Sequence, residues 1–174
     1  MNLRPWPPVA GKAPDPKAII STPLVRAQDW EQRLHAFIES RRSAPFAWGT
    51  HDCCIFAADW VLALTGKDIA ADFRGKYHDE ASCIALLKGM GYADAGAMML
   101  DQLEAKWKLP VVPPTFAHRG DLIQVQQPSG PALCVVGLNG KHAHGVSGSG
   151  LVRLRTYWDA TRAWRIPYLG GIHG

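Results

Sequence analysis

The stretch Phe46-Ala-Trp-Gly-Thr-His-Asp-Cys-Cys-Ile-Phe-Ala-Ala-Asp-Trp60 constrains the fold more than any other part of the chain. A loop punctuated by proline and glycine runs directly into a strongly apolar helical pattern, with a cysteine at the joint. Asp52 is a good N-cap residue. Ile55, Phe56, Val61, Leu62 and Leu64 form an apolar surface broad enough for a buried helix, and Thr65-Gly66 supplies the stop. Cys53 therefore falls in the first helical turn. There the unpaired backbone N–H groups and the positive end of the helix dipole favour a thiolate and can hold a developing oxyanion. That is the position a nucleophilic cysteine needs.

With 174 residues and 47% hydrophobic composition, the chain is expected to form one domain that buries about 70% of the surface its unfolded form exposes. Cys53, Cys54, Cys83 and Cys134 are irregularly placed, the adjacent pair is poorly disposed to bridge, and no C-x-x-C spacing occurs. Reduced thiols follow, with no disulfide scaffold, metal site or cofactor. The start lacks an apolar run of signal-peptide length, and the most apolar later segment is interrupted by Asp59. Neither an export signal nor a membrane span is expected, and the place of synthesis is the cytoplasm. A net charge of +4 and a pI near 9.0 would suit an acidic partner, but the basic residues are scattered. They read as a solvated surface rather than a nucleic-acid site.

Taken in order, residues 1–26 carry Pro5, Pro7, Pro8, Pro14, Pro16 and Pro23, which keep the chain extended as an arm. Its Trp6, Val9, Ile19, Ile20 and Leu24 suit packing on its own domain or on a neighbouring subunit, the alternative being a partly ordered terminus. Residues 27–174 form the domain proper. Trp30, Leu34, Phe37 and Ile38 recur at helical spacing, predicting an amphipathic helix over 27–43. The 52–65 helix follows, then helices over 79–88 and 95–107. After Val111-Val112-Pro113-Pro114 the texture changes to β-branched residues and turn signals. Strands are expected at 122–126, 132–138, 142–146, 151–155 and 163–168, with Asn139-Gly140 a strong hairpin signal. Helices first and an antiparallel meander second make an α+β domain.

Asp52-Cys53 opening a helix, followed later by Gly120-Asp121-Leu122-Ile123 opening a strand, resembles the papain-like cysteine peptidases of the NlpC type, which cut peptidoglycan stem peptides. A closer resemblance is to an uncharacterised family from the tail modules of tailed bacteriophages, carried jointly by several strings. They are Trp30, Phe46-Ala-Trp48-Gly49-Thr-His-Asp52-Cys53, Thr65-Gly-Lys-Asp68, Arg74-Gly-Lys-Tyr77, Arg119-Gly-Asp121 and Ala163-Trp-Arg165. The resemblance implies a papain-like fold and a virion protein of the tail tip, partnered by other baseplate and hub proteins, with peptidoglycan as substrate in an active enzyme.

The NlpC-type pattern places its general base, a histidine, on the strand after Gly-Asp-Leu. In this chain Ala132-Leu-Cys-Val-Val-Gly137 occupies that segment, and Ala132 takes the histidine's place. The resemblance therefore implies a degenerate site, unless His144, or His142 beside it, reaches Cys53 from the next strand. Trp48, Gly49 and Asp52 are the candidates for lining a substrate cleft. Asp52 also reads as a cap and Asp121 as a strand-start residue, while His51 and His118 read as loop anchors and Cys54 as a small buried apolar residue. Two functions follow: a structural or assembly protein of the tail tip, or a cysteine peptidase or amidase that opens the cell wall during DNA entry. A docking role for the arm is compatible with either.

Overall fold

The helix that begins at Cys53 is apolar almost all round, so it can be stable only when covered on every side. The computed structural model, which describes residues 24–127, 130–155 and 160–168, places it at the centre. Helix α1 (Trp30–Ser40) packs along α2 (Cys53–Thr65), and α2 lies on a six-stranded antiparallel sheet. Helix α3 (Glu80–Met90) and the short α4 (Ala95–Leu100) follow. The strands are β1 (Val111–Val112), β2 (Leu122–Gln127), β3 (Gly130–Val136), β4 (His142–Ser147), β5 (Gly150–Arg155) and β6 (Ala160–Trp164), in the spatial order β1-β6-β2-β3-β4-β5. The α+β architecture is as expected, with helices first and sheet second.

Local chemistry explains the helix ends. The side chain of Asp52 caps α2, and Gly66 closes it with a φ of 74°. Asp79 and Ser82 form a reciprocal capping box on α3, which Gly91 ends at a φ of 86°. The helix expected over 95–107 is instead α4 followed by a wider π-helical turn, Asp101–Lys106. In this wider turn Glu104 accepts a hydrogen bond from Trp164 Nε1 at 2.8 Å and one from Arg162 at 2.7 Å, which ties the turn to β6.

The strands follow their expected positions with two differences. Val111-Val112 forms a short edge strand paired with β6, and β6 begins earlier than expected, at Ala160. This register puts Trp164 opposite Leu122, on the face toward α2, and turns Ala163 to the other face. Beyond Trp164 the chain leaves the sheet at Ile166-Pro167, where proline has no N–H to offer a ladder.

Both faces of the sheet carry buried residues. Leu122, Leu133, Val135, Val146 and Trp164 join the core around α2, whereas Ile123, Val125, Cys134, Val136, Ala143 and Ala163 form a second cluster. The first core also takes in Leu24, and Arg26 is only 1% exposed. These two residues, assigned above to the arm, are part of the domain. The remainder of the arm, including Trp6, Val9, Ile19 and Ile20, lies outside the described residues. No helix among the described residues is long and apolar enough to cross a membrane.

Candidate functional site

The loop before α2 is a tight turn. Ala47 and His51 pair as an isolated antiparallel bridge, His51 N donating to Ala47 O at 2.7 Å and Ala47 N to His51 O at 3.1 Å. Gly49 sits in this turn with a φ of 71°, and a Cβ built there would lie 2.0 Å from the carbonyl oxygen of Tyr77. Glycine is required on both counts.

Asp52 is the hub of this region. One carboxylate oxygen accepts from the amides of Cys54 and Ile55 at 3.0 and 2.9 Å. The other accepts from the amide of Gly49 at 2.8 Å and from the hydroxyl of Tyr77 at 2.6 Å. At 3% exposure, with four donors on it, the carboxylate is fully engaged in structure. Burial, followed by the neighbouring Asp52 charge, pushes the Tyr77 phenol pKa strongly upward, so Tyr77 stays a neutral donor. Tyr77 was visible in the sequence only as a member of the Arg74-Gly-Lys-Tyr77 string, and its link to Asp52 spans 25 residues.

Cys53 is the first residue of α2 and is partly exposed, while Cys54 is buried. A hydrogen bond from the Cys54 thiol lowers the Cys53 pKa, against burial and the Asp52 charge, which both raise it. Cys54 is pushed well up by the same bond and by burial. Cys83 on α3 lies close enough for the Cys53 and Asp52 charges to raise its pKa further, after burial. Burial pushes Cys134 up to about 12. All four thiols are free, and among the described residues no group of three or more His, Cys, Asp or Glu side chains could hold a metal ion.

His144 lies on β4 opposite Val135, and its ring leans over Gly137, where a Cβ would meet its Nε2 at 3.0 Å. Burial lowers its pKa first, then Arg153, His142 and Arg42, with Glu39 opposing. His142 Nδ1 accepts from the Asn139 side-chain amide at 3.0 Å. His51 Nδ1 donates to Pro45 O at 2.9 Å, and its buried Nε2 has no partner. Among the described residues no hydrogen bond joins Cys53 to an imidazole.

The register also changes the meaning of Ala132. Its side chain packs in the second cluster, on the face away from α2, while Leu133 and Val135 face the helix core. Strand side chains alternate, so a histidine at 132 would point to the wrong face in this register. The β3 residues on the α2 side are apolar.

Trp48 is 36% exposed and stands edge-on to Phe46 and Tyr77, with ring centroids 5.2 and 6.4 Å apart. It lines a pocket of about 210 Å³ together with Glu80, Cys83, Ile84, Leu87 and Asp94. Cys53 does not line that pocket. Trp48, Gly49 and Asp52 are therefore brought together around Tyr77, with Cys53 next to the capping Asp52, while His144, opposite Val135, shares the sheet face that meets α2.

The remaining strings form structural networks. Asp121, fully buried, pairs with Arg26 and also accepts from the amides of His118 at 2.8 Å and Ile166 at 3.2 Å. Arg165 approaches it at 3.3 Å. Arg26 in turn donates to Ile166 O and Arg119 O, and its guanidinium lies 4.8 Å from the Trp30 ring and 4.6 Å from the Tyr168 ring. Trp60 Nε1 donates to Gly120 O at 2.8 Å. Arg74 bridges Asp68 and Asp59 at 2.8 and 2.7 Å, and Arg41 adds a contact to Asp59 at 3.0 Å.

No protein of curated function matches the chain. The chain belongs to a family described as a domain of unknown function, DUF6950, whose model matches residues 25–166.

Proposed function

We propose that this protein is a structural or assembly component of a bacteriophage tail tip, acting among baseplate and hub proteins of the virion on a papain-like, NlpC-type scaffold with a degenerate peptidase site. The motif resemblance supports the tail-tip placement. The environment of Cys53 carries the loss of activity: the thiol is partnered by Cys54 and lies beside a fully engaged Asp52, with no imidazole hydrogen-bonded to it among the described residues.

The chemistry argues in the same direction. A free thiol with a pKa near 8.5 is only a few per cent thiolate at pH 7, whereas histidinium-paired cysteines fall to about 3–4. A helix N-terminus contributes up to ~2 kcal/mol, or about 1.5 pKa units, and cannot replace the histidine. The leaving amine would also lack its acid, a loss of roughly 100- to 10,000-fold. Purified full-length protein incubated with peptidoglycan should release no stem-peptide fragments, and phage carrying Cys53→Ala should still assemble tails. Fragment release that disappears in Cys53→Ala would overturn the reading.

The partial exposure and lowered pKa of Cys53 favour a second reading, a cysteine peptidase or amidase that opens the cell wall during DNA entry, with His144 or His142 moving in as base. Iodoacetamide separates the two. Alkylation of Cys53 at a degenerate site should slow steadily as the pH falls from about 8 to about 5, as it does for a thiol without an imidazolium partner. A rate that stays level down to about pH 5, and no longer does so on replacing His144, would establish the peptidase.

A further inference from the structure

Strands β4 and β5, at one edge of the sheet, carry a basic ladder. Across the β4–β5 pair, His144 stands directly opposite Arg153 and His142 directly opposite Arg155. Cross-strand partners share a face, and alternate residues do so as well, so all four side chains project from one face. It is the face away from Ala143, which packs inward in the second cluster. Arg153 and Arg155 are exposed, and His142 and His144 are half-buried.

The fixed charges of the ladder are those of Arg153 and Arg155, two residues apart on β5. Among the described residues no carboxylate pairs with Arg153 or Arg155. Among the described residues the carboxylate whose charge acts on His144 is Glu39 at the end of α1, and Arg42 already holds it in a two-pronged ion pair. The Arg42–Glu39 pair is internally balanced and leaves Arg153 and Arg155 without a carboxylate of their own among the described residues. The arginines of the ladder, without a carboxylate partner among the described residues, form a regular repeat, since alternate residues on a strand are about 6.6–6.8 Å apart.

We propose that the rungs His144–Arg153 and His142–Arg155 bind an extended acidic segment of a partner protein, with Asp or Glu at every second residue. Such a segment repeats its carboxylates at the same interval as the arginines, and a guanidinium takes a carboxylate through two parallel N–H bonds. The half-buried imidazoles supply further ring N–H donors; with His142 Nδ1 accepting from Asn139, its Nε2 is the donor toward the partner. A single-stranded nucleic acid has a comparable phosphate spacing and is the competing occupant that the test below separates from an acidic segment. The proposal rests on the assembly reading in giving its partner a chemistry. It is tested by binding alone, whereas the assembly reading is tested by cleavage and tail incorporation, so either can fail without the other.

The test uses the full chain and a fluorescein-labelled decapeptide of alternating Thr and Glu, read by anisotropy at 20 and 300 mM salt. The glutamine version of the peptide and a ten-nucleotide oligothymidylate serve as competitors. The acidic peptide should bind and weaken with salt, and Arg153→Gln/Arg155→Gln should lower its affinity about tenfold, two exposed ion pairs being lost. Lys67→Gln/Lys88→Gln, which removes the same charge from exposed positions elsewhere, should leave it unchanged. Arg153→Lys/Arg155→Lys keeps the charge without the fork and should fall between wild type and the glutamine variant. Equal weakening by the two glutamine pairs, no effect of the Arg153/Arg155 pair, or preference for the oligonucleotide through the same arginines would each overturn the proposal.

Discussion

At the scale of single residues, the loop before α2 shows how geometry can reserve a position for one side chain. Gly49 and Gly75 both have positive φ, 71° and 68°, yet only Gly49 has backbone within reach of an added Cβ. Gly75→Ala should lose about 1–2 kcal/mol, the cost of a left-handed L-residue. Gly49→Ala meets the Tyr77 carbonyl as well and should lose more than about 4 kcal/mol, a loss reached only by strain or clashes of this kind. Urea unfolding of the two variants measures the difference directly, and similar midpoints would mean that the turn can move away from Tyr77. Tyr77→Phe removes one of the four donors on Asp52 and should cost about 1.5–3 kcal/mol, as for a hydrogen bond to a charged group. Fluorescence-monitored unfolding of that variant tests whether Asp52 depends on a donor from outside its own helix.

At the scale of elements, the β4–β5 pair should make stability depend on pH through His144. Burial holds its folded-state pKa below the ordinary value of 6.5, with Arg153, His142 and Arg42 adding and Glu39 opposing. Between the folded and unfolded values the unfolded chain binds more protons, so stability rises with pH there. This contribution is complete above about pH 6.5 and is lost as the pH falls below it. Urea midpoints should therefore decline between pH 6.5 and 5.5, and His144→Gln should show a shallower decline. An identical slope in that variant would show that His144 is not the group responsible.

At the scale of the whole molecule, one buried ion pair holds together distant parts of the chain. Arg26 reaches Asp121 at the start of β2, and both meet the backbone of Ile166 beyond β6. Removing one partner leaves an uncompensated buried charge, so Asp121→Leu should destabilise by about 3–5 kcal/mol. Because the two groups share one network, Arg26→Met/Asp121→Leu should cost less than the sum of its single changes by about 0.5–3 kcal/mol. A double-mutant cycle in urea gives that coupling, and strict additivity would show that the pair is not the tie. The Arg119-Gly-Asp121 and Ala163-Trp-Arg165 strings thus act mainly through architecture: both supply groups to this network, and the Gly120 carbonyl anchors Trp60 in the central helix.

Much of the fold was legible without coordinates, for a local reason. Helix caps act within a few residues, so Asp52, Gly66, Asp79 and Gly91 mark helix ends in the sequence as they do in space. Alternation and turn residues likewise marked most of β2 to β5. The chain by itself therefore determined that a buried apolar helix begins at Cys53, behind a capping aspartate, and that an antiparallel sheet follows. Tertiary structure decided what surrounds that cysteine, because each deciding contact joins segments far apart in sequence. Tyr77 completes the shell of Asp52 from 25 residues away, and the strand register turns Ala132 from the helix and Leu133 toward it. The His144 ring leans over Gly137, and its charged surroundings are Arg153 and Arg42. Alternation defines two faces of a strand, but only packing decides which face meets the helix.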